Sequence, residues 1–186
     1  FDDVAPLDID KPLISTIHTI KELDKDSLFL KLRWIYQKKV INKSKKIIVL
    51  SSNMKKLLSR YVSQDKIAII PYGIDTKHFK KIRKIPKDLD NLMKKFSRIA
   101  ICIGNYGTDK EKLIESANNF PNILFIIINR NWDIKSENNI LFFKRVPEKR
   151  LLELYSISDF LYRPLKFSAG NTSIIEALSM GLVIVT

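Results

Sequence analysis

The chain of 186 residues contains one cysteine, two histidines and five glycines. The single cysteine, Cys102, excludes an internal disulfide framework, and its apolar neighbours in IAICIG predict a buried, inert thiol. The two histidines are far apart in the sequence and no carboxylates cluster near them, so the sequence contains no recognisable metal site. We therefore expect neither a metal nor a resident cofactor.

Long hydrophobic runs are also missing. The longest, residues 123–128, is far shorter than the roughly 20 apolar residues that span a bilayer. The acidic opening FDDVAPLDID lacks the apolar stretch of a signal peptide. The sequence starts without Met and stops in the strand-like GLVIVT, so we expect an excerpt of a longer chain. Because nothing indicates secretion, we expect a cytoplasmic location.

Basic residues are in clear excess. The chain has 33 Lys and Arg against 20 Asp and Glu, a net charge of +13. Such a charge favours anionic partners, namely nucleic acids, anionic lipids or phosphorylated small molecules, without choosing among them. The excess is mostly lysine, which a compositional bias of the source genome also explains.

Strand-like and helix-like segments alternate along the chain in two blocks. The predicted strands are PLISTIH, KKIIVLSS, KIAIIPYG, RIAICIG, NILFIII, NNILFF, DFLYRP and GLVIVT. The helices between them are predicted to begin at Ser27, at Pro147 and after Gly170. Ser51 or Ser52, with Asn53 as a further candidate, is predicted to cap the second helix, and Thr108 or Asp109 the helix after RIAICIG. This alternation predicts the α/β class with parallel sheets wrapped by crossover helices.

A basic segment separates the two blocks. Residues 80–98 are rich in charge, contain Pro86 and have few apolar side chains, so they are predicted to form an interdomain linker with one short helix. The prediction is therefore two Rossmann-like domains, residues 1–79 and residues 99–186. In such sheets ligands bind at the carboxyl ends of the strands.

Two loops at predicted strand ends lack a known signature but suit a phosphate. In GNYGTDKEK, Gly104 and Gly107 permit close approach of the backbone, and Lys110 adds a positive charge at a helix start. The spacing is neither G-x-G-x-x-G nor a Walker A motif, and most helices begin in a similar way.

His18 follows another apolar strand, where it either enters a cleft or is a hydrogen-bonded structural histidine.

The segment PLKFSAGNTSIIEALSMG combines a turn of small residues with a helix. Backbone amides near Gly170 and Asn171, together with the helix dipole, suit a pyrophosphate. Glu176, about one turn into the helix, either accepts hydrogen bonds from a diol such as ribose or only complements the dipole. Both interpretations remain open on these grounds. The buried side of the helix is predicted from periodicity as Ile174, Ile175, Leu178 and Met180, with Gly181 as the C-cap.

The order of three segments resembles the middle of glycosyltransferase family 4, which has the GT-B fold. These are KKIIVLSSNMKKLL, KIAIIPYGIDTKHF and ISDFLYRPLKFSAGNTSIIEALSMGLVIVT. Tyr72–Asp75 matches the turn that closes the family's first domain, and EALSMGLVIVT matches its Glu-Ala-(Leu/Met)-Ala-x-Gly-x-Pro-Val-Val pattern. The resemblance implies that residues 1–79 are part of the acceptor-side domain and that residues 99–186 bind a nucleotide sugar.

The resemblance also implies a donor site. Backbone groups of Gly170, Asn171 and Thr172 would cradle the donor pyrophosphate. Those of Arg145 and Val146 would meet the nucleobase. The implied chemistry is metal-independent transfer of a sugar from a nucleotide donor with retention of anomeric configuration. The acceptor, a glycan, a lipid or a protein, is left open.

Three side chains receive individual roles from the resemblance. Glu176 resembles the carboxylate that binds the donor ribose. Lys110 is similar to the lysine that neutralises the pyrophosphate, although its loop is one residue short. His18 matches the histidine that faces the transferred sugar. Lys110 and His18 are thus the predicted catalytic residues.

Three positions depart from the family pattern. Ser168 stands where the family often has a second glutamate, and Asn105 stands where an arginine commonly follows the loop glycine. Both changes would weaken sugar positioning and phosphate stabilisation, although Lys166 could supply the missing positive charge to the donor. Val183 replaces a proline before the final Val-Val, a minor change.

Three function classes follow. The leading one is a nucleotide-sugar glycosyltransferase, and the second is a catalytically reduced GT-B-like domain that binds a nucleotide or a glycan. The third, a nucleic-acid-binding protein, has only the net charge in its favour. Residues 28–46 mix apolar and basic side chains, which suits either peripheral contact with an anionic membrane or an ordinary helix with a solvated lysine face.

Overall fold

A computed structural model describes residues 11–18, 28–82, 85–105, 107–166 and 171–186, and of residues 28–34 it describes the backbone. The chain divides into two compact units, Phe1–Tyr72 and Gly73–Thr186. The boundary therefore lies N-terminal of the one predicted after residue 79. Among the described residues, no helix is both long and apolar enough to cross a membrane.

The first unit is a parallel three-stranded sheet with helices between its strands. Its elements are β1 (Leu13–Ile17), α1 (Leu28–Lys43), β2 (Ser44–Val49), α2 (Ser52–Leu58), a short 3-10 helix (Gln64–Lys66) and β3 (Ile67–Ile69). The strand order is β1-β2-β3. All five of these strands and α-helices were predicted from the alternation of apolar segments.

The core of the first unit lies between the sheet and its two helices. Ile47, Val49 and Leu58 are fully buried, and Ile41 anchors α1 against them. Helix α2 begins where the sequence predicted a cap, because the Ser51 side chain accepts a hydrogen bond from Met54 N.

The second unit contains five strands and four helices. Its elements are α3 (Lys87–Lys95), β4 (Arg98–Ile103), α4 (Lys110–Asn119), β5 (Ile123–Ile128), β6 (Ile140–Phe143), α5 (Glu148–Ile157), β7 (Phe160–Tyr162), α6 (Thr172–Ser179) and β8 (Val183–Val185). The parallel sheet has the order β6-β5-β4-β7-β8. Counted along this unit, the strands run third, second, first, fourth and fifth, which is the order of a doubly wound fold.

The sheet of the second unit is covered on both faces. Leu124 and Ile126 point into one apolar cluster, whereas Phe125 and Ile127 point into another on the opposite face. This explains why NILFIII is continuously hydrophobic, since a strand buried on both sides needs no polar alternation. The α/β class with two Rossmann-like units is thus confirmed.

The described residues of the segment 80–98, which was predicted as an interdomain linker, belong to the second unit instead. They contain the one short helix that was predicted, α3, whose Leu89 is fully buried in the core beside α5. Asp88 on this helix also accepts a hydrogen bond from Arg150 Nη2 at 2.5 Å. Sparse apolar residues suggested a linker, but Ile85, Leu92 and Phe96 pack against the core beside Leu89 and dock this helix of nine residues.

Candidate functional site

The two phosphate-suited loops predicted from the sequence meet in the second unit. One follows β4 and the other follows β7, the neighbouring strands between which the strand order reverses. Asp109 N donates to Pro164 O at 2.7 Å, and Lys166 N donates to Gly107 O at 2.7 Å. Because ligands of doubly wound sheets bind at such a switch point, these joined loops form the candidate site.

Gly104 lies against the side chain of Arg163. Its φ is +150°, in a region that favours glycine, and a Cβ at this position would overlap the Arg163 guanidinium. The Asn129 side-chain amide donates to Gly104 O, which fixes the peptide further. The glycine is therefore required by packing inside the chain, whereas the sequence suggested close approach of a ligand.

Helix α4 begins beside this loop. Asp109 is its N-cap and accepts a hydrogen bond from Lys112 N at 3.1 Å, and this bond is the main reason why the pKa of Asp109 is lowered. Lys110 is the first residue of the helix and is half-buried. The predicted pyrophosphate-neutralising lysine thus stands at the positive end of a helix dipole, next to the switch point.

Lys166 pairs with carboxylates of the same loop region. Its Nζ lies 3.0 Å from Glu111 Oε2 and 3.5 Å from Asp109 Oδ1. The hydrogen bond to Glu111 is the main cause of the raised pKa of Lys166. Its charge is therefore shared with two carboxylates, which weakens the expectation that it replaces a missing cation at the donor.

Asn105, which replaces the expected arginine, serves to hold the loop in place. Its side-chain oxygen accepts from Arg130 N at 2.8 Å, and its carbonyl accepts from the Asn131 side-chain amide at 3.1 Å. The loop after β4 is thereby attached to the loop after β5.

The predicted donor-binding helix is α6. Asn171 is its N-cap residue and Thr172 is its exposed first residue, while Gly170 and Ser168 lie outside the described residues. At its C-terminus Gly181 has φ +73°, and Leu182 N donates to Ala177 O at 2.9 Å. This is a Schellman motif, which agrees with the predicted glycine cap.

The buried face of α6 differs from the prediction in part, since Met180 is buried as predicted and Leu178 is not. Ser173, Ala177 and Met180 are buried, whereas Leu178 is 57% exposed. Ile174 and Ile175 are half-buried. Hydrophobicity alone favoured Leu178. The small residues Ser173 and Ala177, four positions apart, face the sheet instead, because small side chains permit a close approach of the helix to it.

Glu176 is half-buried and belongs to a hydrogen-bonded network. Tyr155 Oη donates to Glu176 Oε2 at 2.9 Å and lies 3.4 Å from Ser173 O. Arg163 Nη1 donates to Ser173 Oγ at 2.6 Å. Tyr155 of the same unit therefore holds the Glu176 carboxylate in place. A glutamate that only complemented the helix dipole on a solvated face would need no such contact.

Sequence reasoning missed three members of this network, namely Tyr155, Arg163 and Ser173. Each is at least 95% buried. Burial lowers the pKa of Arg163, and burial followed by the charge of Glu176 raises the pKa of Tyr155. An arginine within the otherwise apolar strand DFLYRP was the signal available, since arginine is almost never buried without partners.

Arg145 and Val146 follow β6, the third strand of this unit. Arg145 is exposed, and half-buried Val146 packs against the main core cluster. Their backbone lies immediately before Pro147, the N-cap residue of α5. They therefore follow the carboxyl end of a strand, and their contact with a nucleobase stays a prediction.

His18 lies in the first unit, directly after β1. It is exposed, its Nδ1 is 2.5 Å from Tyr72 Oη, and the two rings are stacked with centroids 5.8 Å apart. The predicted strand-end position is confirmed, and a hydrogen bond orients the ring.

The described part of the chain contains no group of three or more His, Cys, Asp or Glu side chains that could hold a metal ion.

Comparisons with known proteins bear on both units. Residues 4–78 match the model of the family described as Glycosyltransferase Family 4. A comparison with curated protein sequences gave no match.

Several solved structures share the fold. Sucrose-phosphate synthase from Thermosynechococcus elongatus superposes with a TM-score of 0.73 at 16% identity, covering 92% of this chain and 49% of that one. Anabaena HepE, solved with UDP and glucose, gives 0.72 at 14% identity, with 94% and 52% covered. An α,α-trehalose-phosphate synthase (UDP-forming) from Burkholderia vietnamiensis gives 0.66 at 13% identity, with 91% and 49% covered.

The chain spans about half the length of these structures. At such identities the superpositions establish the fold, and the family match covers the segment that contains the first unit's described elements. Residues 4–78 are therefore similar to glycosyltransferase family 4, and the chain as a whole shares the GT-B fold of these structures.

Proposed function

We propose that this chain is part of a glycosyltransferase that takes its sugar from a nucleotide-diphosphate sugar bound in the second unit. The observation that carries the proposal is the joining of the two switch-point loops at the start of α4, whose first residue is Lys110. The solved relatives support it, since HepE is described with UDP and glucose and another relative is described as UDP-forming.

In this proposal Glu176 accepts hydrogen bonds from the donor ribose. The backbone of Gly170, Asn171 and Thr172 cradles the pyrophosphate, and Gly104 closes the loop below it. Backbone groups of Arg145 and Val146 meet the nucleobase. These residues keep the roles that the family resemblance implies.

The proposed reaction transfers the sugar with retention and without a metal. The bond from the anomeric carbon to the pyrophosphate oxygen breaks, and a bond from that carbon to the oxygen of an acceptor hydroxyl forms on the same face. The hydroxyl gives its proton to the departing phosphate oxygen. The departing nucleoside diphosphate gains negative charge, which Lys110 and the amino end of α4 stabilise. His18, in the first unit, would face the transferred sugar, and the acceptor is a glycan, a lipid or a protein.

A second candidate is a catalytically reduced domain that binds a nucleotide or a glycan. Two observations favour it. Asn105 is engaged in holding its loop, and Lys166 is paired with Asp109 and Glu111, so neither supplies a free cation in place of the expected arginine.

A thermal-shift series with UDP-, GDP- and ADP-sugars tests binding. We expect one nucleotide class to raise the unfolding midpoint of the wild type and of Glu115→Ala, a matched exposed glutamate, but not of Glu176→Ala. No response to any nucleotide, together with tight and salt-dependent RNA or DNA binding, would contradict the proposal and support nucleic-acid binding. Donor hydrolysis or sugar transfer then separates the enzyme from the reduced domain.

A further inference from the structure

A buried tyrosine stands behind the proposed ribose-binding carboxylate. Tyr155 on α5 is fully buried, and its hydroxyl donates to Glu176 Oε2 at 2.9 Å. Glu176 is half-buried on α6, so it faces the core at one oxygen while part of the group is accessible. The pair joins helices α5 and α6, which also pack together in the main core cluster.

The position of the Tyr155 hydroxyl is fixed by its surroundings. The ring belongs to the main core cluster, with Leu154 on its own helix and Ala177 on α6 as fellow members. The hydroxyl also lies 3.4 Å from Ser173 O, in the first turn of α6. A donor held by close packing can hold its acceptor in one orientation.

We propose that Tyr155 is a positioning residue for the donor ribose. It orients the Glu176 carboxylate, so that Oε1 and the remaining lone pair of Oε2 accept the two ribose hydroxyls. This inference rests on the proposed function, since it assigns a role to the carboxylate that binds the donor. Tyr155 does not touch the ribose, and it acts through Glu176.

Ser173 and Arg163 extend the arrangement to the switch point. Arg163 Nη1 donates to Ser173 Oγ at 2.6 Å, and the Arg163 guanidinium packs against Gly104. The first turn of α6 is therefore tied both to α5 and to the end of β7. The helix that carries the carboxylate is therefore connected to Gly104 through Ser173 and Arg163.

The test compares ribose and dideoxyribose ligands. The dissociation constants of UDP, GDP and ADP and of their dideoxy counterparts are measured by calorimetry on the wild type and on Tyr155→Phe. We expect the variant to lower the preference for the ribose form by about three- to tenfold, the usual range for one lost hydrogen bond. Affinity for the dideoxy form should stay within about twofold of the wild type.

Tyr162→Phe is the matched control. Tyr162 Oη is 2.7 Å from Ser116 Oγ, and its ring packs in the cluster on the opposite face of the same sheet. Removing this hydroxyl should leave the ribose preference unchanged. An equal loss in both tyrosine variants, or an equal loss of both ligand forms in Tyr155→Phe, would show a structural role and overturn the inference.

The two proposals fail in different ways. If the wild type binds none of the diphosphates, the proposed function fails and this inference falls with it. If Glu176→Gln removes the ribose preference and Tyr155→Phe retains it, the donor site stands and the role of Tyr155 is overturned.

A second measurement applies if Tyr155→Phe does not fold. A fluorotyrosine introduced at position 155 keeps the hydroxyl, and its fluorine NMR signal should shift when UDP is added but not when the dideoxy form is added. A signal that does not move while UDP binds would overturn the inference.

Discussion

The guanidinium of Arg163 occupies the space that a side chain at position 104 would need. A Cβ at Gly104 would overlap Nη2 and Cζ of this arginine, and the backbone there has φ +150°. The arginine is itself only 4% exposed, so it has little room to move away. The close contact between the two residues fixes the loop after β4 against the end of β7, at the switch point.

The glycines are therefore expected to differ in their tolerance of alanine. Gly104→Ala should lower the free energy of unfolding by about 1–3 kcal/mol from overpacking, with added backbone strain. Gly181→Ala meets no atom but has φ +73°, so it should cost about 1 kcal/mol. Gly73→Ala, which has open space around it and no such φ, should be within about 0.5 kcal/mol of the wild type. Urea unfolding measures all three, and an equal cost at positions 104 and 73 would contradict the overlap.

The Cys102 thiol should be unreactive in the folded chain. Burial raises its pKa from 9.0 to about 12, so almost no thiolate forms at pH 8. Alkylation by iodoacetamide should therefore proceed only through opening of the second unit and accelerate in denaturant. Stability should also fall as pH rises from 9.0 towards 12, because the unfolded chain then loses a proton that the folded chain retains. Rapid labelling under native conditions would be the contrary result.

The Asp109 cap should make stability depend on acid pH. The pKa of this carboxyl is lowered in the folded chain, chiefly by the hydrogen bond from Lys112 N. The charged form therefore stabilises the fold above the ordinary value of 3.8, and this contribution is lost as pH falls through the lower folded value. Asp109→Asn keeps a capping side chain, so it should unfold at a lower temperature than the wild type at pH 7 but not at pH 2. If the two proteins differed in unfolding temperature by the same amount at pH 7 and pH 2, the charge of Asp109 would not be the cause.

Asn139 should be intolerant of change. Its buried side-chain amide lies 2.9, 3.1 and 2.8 Å from the carbonyl oxygens of Ala117, Phe120 and Ile123. Asn139→Leu removes this donor from the three carbonyls, of which Phe120 O keeps the Ile123 N–H at 3.0 Å, and should cost about 1–3 kcal/mol in thermal or urea unfolding. Exposed Asn118→Leu on α4 serves as the control. Equal stability of the two variants would show that water replaces the donor.

The lysines of α1 offer a test of membrane contact. Ile41 packs into the first unit's core, whereas Lys38, Lys39 and Lys43 are exposed. If this face binds anionic vesicles, binding should weaken with salt and disappear when these three lysines are replaced by glutamine. Unchanged binding in the triple variant would assign the membrane contact to another part of the chain. If the wild type does not bind the vesicles, α1 is an ordinary helix with a solvated lysine face.

Periodicity was sufficient to predict the elements but not their packing in detail. Every α-helix and strand was predicted, because continuous apolar segments such as residues 123–128 and caps such as Ser51 and Asp109 are local signals. The buried face of α6 was partly wrong, since hydrophobicity favours Leu178 but close packing selects Ser173 and Ala177. The segment 80–98 was predicted as a linker because its apolar residues are sparse among its charges, yet Leu89, Leu92 and Phe96 pack into the core.

The sequence by itself determined the alternating strands and helices, the two loops suited to phosphate and the position of Glu176 one turn into α6, since all of these follow from neighbours along the chain. The tertiary structure alone decided that the loops are joined, that Arg163 packs against Gly104, and that Tyr155 holds Glu176. Those relationships connect residues 21 to 59 positions apart, and no local pattern records which distant side chains a parallel sheet brings together.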